Sequence, residues 1–271
     1  MKVGYQGEGL SYSDQAAIRL YPEAQRIGFG SFARAFQALG HGDVDRLVLP
    51  IENSTIGSIL PVLDRLARHP VSIIGEHLIE VRHALIGLAG SSINGIEEVW
   101  SHPQALAQAD DRIEQAGWNP IPVHDTAGAV RTVVERGDPS VAALAPRHTA
   151  RRHGGKVLLE DFLDRDHNTT RFVILAPDRW EVSEDANKTS MVFETAHSPG
   201  SLALALTELG LRGANLTHLQ SRPAEEAWRY RFYADMIHSP GPQGVKDVLE
   251  PRPATLAELR VLGTYPAATV P

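Results

Sequence analysis

The sequence contains no cysteine among its 271 residues, which excludes disulfides, thiolate metal sites and a cysteine nucleophile. It has no apolar run that approaches the roughly 18 residues of a membrane helix. Its first residues lack the basic start, apolar core and cleavage site of a signal peptide, so we expect a cytoplasmic protein without membrane association. Because phosphate binding needs a basic face, the formal net charge of −7 argues against nucleic acid as a partner.

Several catalytic signatures are also missing. Gly4, Gly7 and Gly9 follow the first apolar run in the order G-x-x-G-x-G, whereas the dinucleotide fingerprint is G-x-G-x-x-G, and no P-loop sequence occurs. The chain has no G-x-S-x-G nucleophile elbow, and its 12 histidines include no H-E-x-x-H pair. These absences disfavour a nucleotide-dependent enzyme, a serine hydrolase and a metal site.

Strand-like and helical runs alternate over residues 2–176, which predicts an α/β fold with a largely parallel sheet. Ser31 and Asp125 are the expected N-caps of two helices, of which the first should end at Gly40 and the second should begin near Thr126. A further helix is expected from Pro103 to about residue 117. The predicted strands are residues 3–5, 47–49, 71–74, 84–87, 99–100, 141–144 and 172–175.

A polar, charged stretch without apolar periodicity separates this region from the rest of the chain. We therefore expect a catalytic region at residues 1–178, a linker at 179–188 and a second domain at 189–271. The patterns after the linker follow the order βαββαβ, which is that of a ferredoxin-like domain. Pro251 and Pro253 should cut its second helix short.

Polar residues follow several of the predicted strands, at the positions where α/β folds place their chemistry. After residues 47–49, a helix cap at Ser54 or Thr55 would leave Glu52 and Asn53 unexplained. A binding role and an ordinary strand-to-helix turn both remain open for this segment.

Two further polar turns precede predicted helices. Ser101 stands before a helix on which Gln104 and Gln108 share a face. Thr126 lies at a helix N-terminus, where free N–H groups and the helix dipole favour an anion. Ordinary helix capping is the simpler explanation for each turn taken alone.

The segment 168–172 places hydroxyls and a guanidinium directly before a buried strand. A hydroxyl at such a strand end can donate to a leaving oxygen, and Arg171 can bind a carboxylate with its two-pronged fork. Packing and solvation at a strand end are the alternative explanation.

Taken together and in this order, these segments resemble the prephenate dehydratase family with a C-terminal ACT regulatory domain. The resemblance runs essentially from end to end, and it is carried by residues 7–13 (GEGLSYS), 50–57 (PIENSTIG), 101–104 (SHPQ), 125–128 (DTAG), 168–172 (NTTRF), 220–223 (QSRP) and 262–266 (LGTYP). It implies two α/β lobes similar to periplasmic binding proteins, with the substrate in the cleft between them. The implied reaction converts prephenate to phenylpyruvate, water and CO2 without a metal or organic cofactor.

The resemblance also implies roles for individual residues. Thr170 corresponds to the threonine on which the family depends, as hydrogen-bond donor to the departing hydroxyl, and Arg171 is the expected carboxylate ligand. Glu52 is the alternative proton donor, because a desolvated glutamate can hold its proton near neutral pH. The implied substrate-binding positions are Asn53, Ser54, Ser101, Gln108, Thr126 and Phe172.

For the C-terminal domain, the resemblance implies feedback by phenylalanine in a homodimer or homotetramer. The family usually has alanine in place of Ser201 and glutamate in place of Gln220, and losing that charge would weaken contact with the effector's ammonium group. The implied effector positions are Gly200, Ser201, Leu202, Ala203, Asn215, Leu216, Gln220, Ser221, Arg222 and Pro223. The competing interpretation is an amino-acid sensor or solute-binding protein of the same fold without catalysis.

Overall fold

The computed structural model describes residues 1–165, 167–177 and 181–269. The first lobe is built on a mixed sheet with strand order β2-β1-β3-β11-β5, and the short strand β4 pairs with β3. Its elements are β1 (Lys2–Gln6), α1 (Tyr12–Leu20), β2 (Gln25–Phe29), α2 (Phe32–His41), β3 (Arg46–Asn53), β4 (Gly57–Ser58), α3 (Leu60–Leu66), β5 (Val71–Glu80) and β11 (Thr169–Pro177). Strand β3 is almost continuously apolar because helices cover both faces of the sheet.

The second lobe has a five-stranded sheet with strand order β10-β6-β9-β7-β8. Two apolar clusters on its opposite faces form its core. Its elements are β6 (His83–Gly87), a short 3-10 turn (Ile93–Gly95), β7 (Glu98–Ser101), α4 (Pro103–Ala107), α5 (Asp110–Ala116), β8 (Asn119–Pro122), α6 (Thr126–Arg136), β9 (Val141–Pro146), α7 (His148–His153) and β10 (Lys156–Leu159).

Both sheets are mixed, which corrects the expectation of a largely parallel sheet. Strands joined by crossover helices are parallel, as β1 is to β2 and β3, and as β7 is to β8 and β9. Strands β6, β10 and β11 pair antiparallel with their neighbours. The chain enters the second lobe after β5 and returns at β11, so no crossover helix sets the direction of β11.

Two further expectations need correction, and the sequence did not predict every strand. The helix expected from Pro103 to residue 117 is divided into α4 and α5, with Gln108 closing the first. Helix α2 ends at left-handed Gly42 (φ 76°) rather than at Gly40. Strand β2 was not expected, because most of its side chains are exposed and carry no apolar pattern. The Asp125 cap is confirmed, since its Oδ1 accepts from Gly128 N at 2.7 Å.

The C-terminal unit has an antiparallel sheet with strand order β13-β14-β12-β15, as in a ferredoxin-like fold. Helix α9 ends before Pro251, as expected. Residues 178–180, which include the start of the expected linker, lie outside the described residues. The elements are β12 (Lys188–Thr195), α8 (Ser201–Leu211), β13 (Asn215–Pro223), β14 (Tyr230–Ile237), α9 (Gly241–Leu249) and β15 (Leu256–Tyr265).

The two faces of this C-terminal sheet pack against different partners. One face and the two helices form a core of their own. On the other face, Tyr233, Leu262 and Tyr265 belong to the same apolar cluster as Leu63 and Val173 of the first lobe. The first lobe and the C-terminal unit therefore share a core. None of the helices in the described ranges has the length and apolarity needed to cross a lipid bilayer.

Candidate active site

The paired ends of β3 and β11 form the centre of the candidate site, and a β-bulge sets the direction of their side chains. The two strands pair in register except that Ile51 has no partner in β11. Side chains alternate between the faces of a strand, and one extra residue reverses that alternation. Glu52 and Arg171 therefore share one face, whereas Asn53 and Thr170 share the opposite one.

Four side chains form a hydrogen-bond network across the cleft, which we call the cleft network: Asn53, Gln108, Asn168 and Thr170. Asn53 Nδ2 donates to Asn168 Oδ1 at 2.6 Å and to Thr170 Oγ1 at 2.9 Å. Asn168 Nδ2 donates in turn to Gln108 Oε1 at 2.9 Å. Because Gln108 closes α4 in the second lobe, the network joins the two lobes. Asn168 was not among the expected site residues, although it begins the motif that contains Thr170.

The network leaves the Thr170 hydroxyl hydrogen available for donation. Asn53 Oδ1 accepts from the N–H groups of Thr55 (2.9 Å) and Ile56 (3.2 Å), so the amide NH2 group must face Thr170. Thr170 Oγ1 therefore acts as an acceptor towards Asn53. No second partner of this hydroxyl occurs in the described part of the chain, and its residue is largely buried. A group bound in the cleft can receive the hydrogen.

Ser54 supports the site through the backbone. Its N–H donates to the carbonyl of Thr169, and its Oγ accepts from Thr169 N, both at 2.9 Å. The expected strand-to-helix turn is wrong, because β3 continues to Asn53, reverses into β4, and α3 follows Ile59 without a side-chain cap. Ser54 thus fixes the start of β11 instead of capping a helix.

In the second lobe, the hydroxyl groups of two expected substrate ligands have different surroundings. Ser101 is fully buried and its Oγ donates to the carbonyl of Leu144 at 2.5 Å, so its hydroxyl ties β7 to β9 and is not open to a substrate. Thr126 is half-buried at the first position of α6, and within the described ranges its hydroxyl has no partner. Burial and the charge of His124 lower the pKa of nearby His102, against the opposing charge of Asp125.

Sequence reasoning missed the residues that join the lobes beside the cleft. The Tyr12 hydroxyl accepts from the N–H of Arg82 at 2.8 Å, donates to the Arg82 carbonyl, and lies 3.3 Å from His83 Nδ1. Burial lowers the pKa of His83 to about 4, so this imidazole is neutral. His148 Nε2 contacts the carbonyl of Leu10 at 2.8 Å. The only sequence signal was that Tyr12 falls in a segment carrying the family resemblance.

Arg171 is not the free carboxylate ligand that the sequence suggested. Its guanidinium contacts Glu52 Oε2 (2.9 Å), Glu76 Oε2 (3.1 Å) and Asp235 Oδ2 (2.6 Å), and its side chain is 7% exposed. Lys188 Nζ also contacts Glu76 Oε2, at 2.8 Å. These five residues form a set that we call the interface charge cluster, because Lys188 and Asp235 belong to the C-terminal unit. A buried guanidinium with three carboxylate partners has no edge left for a substrate.

The expected role of Glu52 as a proton donor is corrected by the same geometry. Its Oε2 accepts from Arg171 Nε at 3.0 Å, on the face of β3 that points away from Thr170. Phe172 is fully buried in a cluster with Tyr5 and other apolar side chains, where it supports the sheet beneath the site.

The expected effector residues fall into two groups within the C-terminal unit. Residues 200–203, at the start of α8, line a hollow with Arg229, Tyr230 and Phe232. Residues 215–216 and 220–223 lie on β13, outside that hollow. Arg222 is paired with Asp64 of α3 through two contacts of 2.9 and 2.7 Å, so the expectation that Arg222 binds an effector is corrected.

Comparison with known proteins assigns the chain to one family. The family model of prephenate dehydratase matches residues 3–179. The chain is 36% identical over 282 residues to arogenate dehydratase/prephenate dehydratase 2 of Arabidopsis thaliana, covering 99% of this chain and 74% of the relative. A prephenate dehydratase from Arthrobacter aurescens, solved in complex with L-Phe, has a TM-score of 0.86 at 27% identity, covering 98% of this chain and 90% of that one.

The chain therefore belongs to the prephenate dehydratase family, and it is a lyase. A further solved structure, described as a quorum-quenching acylase, has a TM-score of 0.85 at 29% identity and covers 99% of this chain and 98% of that one. Because so similar a fold carries a differently described activity, the fold alone does not assign the roles of individual residues. Those roles must come from the geometry of the site.

Proposed function

We propose that the protein converts prephenate to phenylpyruvate, water and CO2, with the Thr170 hydroxyl as hydrogen-bond donor to the departing hydroxyl group. The observation that carries this assignment is the orientation of Asn53, which occupies an acceptor position of Thr170 Oγ1 and leaves the hydroxyl hydrogen free. Family membership disfavours the alternative of a sensor or solute-binding protein without catalysis.

The chemistry requires little acid strength from the protein. As the ring C–O bond breaks, the ring carboxylate leaves as CO2 and its bonding electron pair enters the ring, which becomes aromatic. One proton from solvent joins the departing hydroxide to form water. An aliphatic hydroxyl such as that of Thr170 stabilises the negative charge that develops on this oxygen by donating a hydrogen bond, rather than by giving up its proton.

The substrate's carboxylates need another site, because Arg171 is occupied. We assign them to the start of α6, where Thr126 has an unused hydroxyl and where free N–H groups and the helix dipole favour an anion. Asn168 bonds to both Asn53 and Gln108, and it so extends the site from Thr170 to the second lobe, which carries this anchor. Arogenate carries the same ring hydroxyl and ring carboxylate, so it is the second substrate to assay.

Turnover by the purified protein tests this proposal. We expect formation of phenylpyruvate from prephenate, and we expect Thr170→Ala to lower kcat by about a hundredfold or more with the fold intact. Thr169→Ala is the matched control and should be mild, because the interactions of Thr169 with Ser54 use only its backbone. No turnover by the wild type, or a larger loss from Thr169→Ala, would overturn the assignment.

We further propose that the C-terminal unit is an ACT domain through which phenylalanine inhibits the enzyme as a homodimer or homotetramer. The βαββαβ order and the hollow at residues 200–203 support this assignment. Phenylalanine should lower turnover and raise Tm, because a ligand of the native state stabilises it. Gln220 lies on β13, outside the hollow of its own chain, but the family usually has a glutamate at this position. On that ground Gln220→Glu should strengthen the response. The absence of any Tm shift in both proteins at saturating phenylalanine would contradict the proposal.

A further inference from the structure

The interface charge cluster has no part in the proposed chemistry, yet it lies directly beside the residues that do. Arg171 follows Thr170 in β11, and Glu52 precedes Asn53 in β3. These are two neighbouring residue pairs of β3 and β11, and their side chains make contacts on opposite faces of the sheet. The contact between Asn53 and Thr170 faces the cleft, whereas the contact between Glu52 and Arg171 faces the C-terminal unit.

Within this cluster, Asp235 provides the shortest contact to Arg171 across the interface. Its Oδ2 lies 2.6 Å from Arg171 Nη2, and its Oδ1 accepts from Ser190 Oγ at 2.5 Å. Ser190 and Asp235 occupy neighbouring strands of the C-terminal sheet, so the carboxylate is held from its own side. Arg171 is thereby fixed to a second structural unit and not only to its own lobe.

The burial of the cluster makes each contact consequential. The side chains of Glu76, Arg171 and Asp235 are 2%, 7% and 5% exposed. Burial opposes ionisation of Asp235, but the charges of Arg171 and Lys188 and the hydrogen bond from Ser190 hold its pKa below the ordinary value. Without Asp235 the guanidinium would keep its contacts to Glu52 and Glu76 of its own lobe, but it would lose its contact to the C-terminal unit.

We propose that Asp235 is a positioning residue for the dehydration: by holding Arg171 it fixes the end of β11 and hence the direction of the Thr170 hydroxyl. This inference rests on the proposed role of Thr170. The C-terminal unit thus takes part in forming the active site, although no residue of that unit belongs to the cleft network. The contact also gives any movement of the C-terminal sheet a direct path to the reacting hydroxyl.

Asp235→Asn tests the proposal, because asparagine has nearly the same shape and retains an acceptor for Ser190 while it removes the charge. We expect kcat to fall about tenfold or more with KM changed by less than about twofold, since a small misplacement of a catalytic group affects mainly the chemical step. The matched control is Asp64→Asn. It breaks another aspartate–arginine pair across the same interface, with Arg222, at a position outside both β3 and β11. This control should leave kcat unchanged.

A double-mutant comparison separates positioning from a general loss of structure. If Asp235 acts through Thr170, Asp235→Asn should cause no further loss of kcat in a Thr170→Ala background. Additive losses, or a single Asp235→Asn variant with wild-type kcat, would overturn the inference while leaving the role of Thr170 intact. If Asp235→Asn does not fold, Ser190→Ala removes the support of the same carboxylate, and an unchanged kcat in that variant would equally overturn it.

Discussion

The first lobe is joined to its two neighbours in very different ways. Its joint with the C-terminal unit contains a shared apolar cluster, the interface charge cluster and the pair of Arg222 with Asp64. Its joint with the second lobe consists of separate polar contacts, such as that of Asn168 with Gln108, and a ring stack of Tyr12 on His83. Among the described residues, no hydrophobic cluster contains side chains from both lobes.

The difference indicates which part moves when a substrate enters. Separating the first lobe from the C-terminal unit would expose apolar side chains to water, whereas separating the lobes would exchange protein hydrogen bonds for bonds to water. We therefore expect the first lobe and the C-terminal unit to behave as one body. The second lobe should open and close the cleft over it.

The largest loss of stability should follow from a substitution that forces apart the apolar contact between the first lobe and the C-terminal unit. A Cβ atom on Gly263 of β15 would lie 2.0 Å from the carbonyl oxygen of Ile73 in β5. A backbone oxygen cannot avoid this clash by a change of rotamer, as a side chain could. Gly263→Ala should lower the free energy of unfolding by about 3 kcal/mol. Hydrogen exchange should speed up in β5 and β15 together, while the second lobe keeps its protection.

Gly210→Ala is the control for this substitution. Gly210 lies in α8, where an added Cβ meets no atom within 4 Å. Alanine should stabilise this helix by up to about 1 kcal/mol. Destabilisation by both changes would show that the close approach at Ile73 is not the cause.

The effect per pH unit is expected to be smaller at the polar joint when the pH is lowered. His83 has a folded-state pKa of about 4 against an ordinary value of 6.5, so below 6.5 the unfolded chain binds a proton that the folded chain refuses. Stability should fall with decreasing pH through this window, by at most about 1.4 kcal/mol per pH unit. Urea unfolding at several pH values should show His83→Gln losing this dependence between pH 6.5 and 4. An identical slope in both proteins would exclude His83 as its source.

The smallest losses of stability should come from removing the exposed or partly exposed contacts that the first lobe makes with each of its two neighbours. Asp64→Asn breaks a partly exposed ion pair and should lower stability by about 0.5–1 kcal/mol. His148→Ala removes an exposed hydrogen bond to Leu10 and should lower it by less than about 0.5 kcal/mol. Its effect should instead appear as faster hydrogen exchange in the loop around Leu10. A larger loss from His148→Ala than from Gly263→Ala would reverse the comparison between the joints.

Much of the fold follows from the sequence because apolar periodicity and caps are local signals. The C-terminal order βαββαβ and the Asp125 cap could be predicted in this way. The antiparallel direction of β11 could not, because it depends on where the chain returns from the second lobe. Strand β2 was missed for the opposite reason, since an edge strand with exposed side chains carries no apolar pattern.

The site shows a similar division. The motif that contains Thr170 identified the correct strand end, and Asn53 and Gln108 indeed meet near it through Asn168. The role expected of Arg171 failed because its partners Glu76 and Asp235 are distant in sequence, so nothing local reveals that the guanidinium is already occupied. Motif position identifies the residue, but only the folded chain shows what surrounds it.

The bulge at Ile51 means that the length of β3 can change at one position without loss of the contact in the cleft. Deleting this one residue would remove the bulge and would leave Glu52 opposite Arg171 and Asn53 opposite Thr170 in a regular ladder. Homologous chains should therefore differ in residue number at this position more freely than in residue type at the positions of Asn53 and Thr170. An alignment gap here would mark a relative with a straighter strand and the same partner for its threonine.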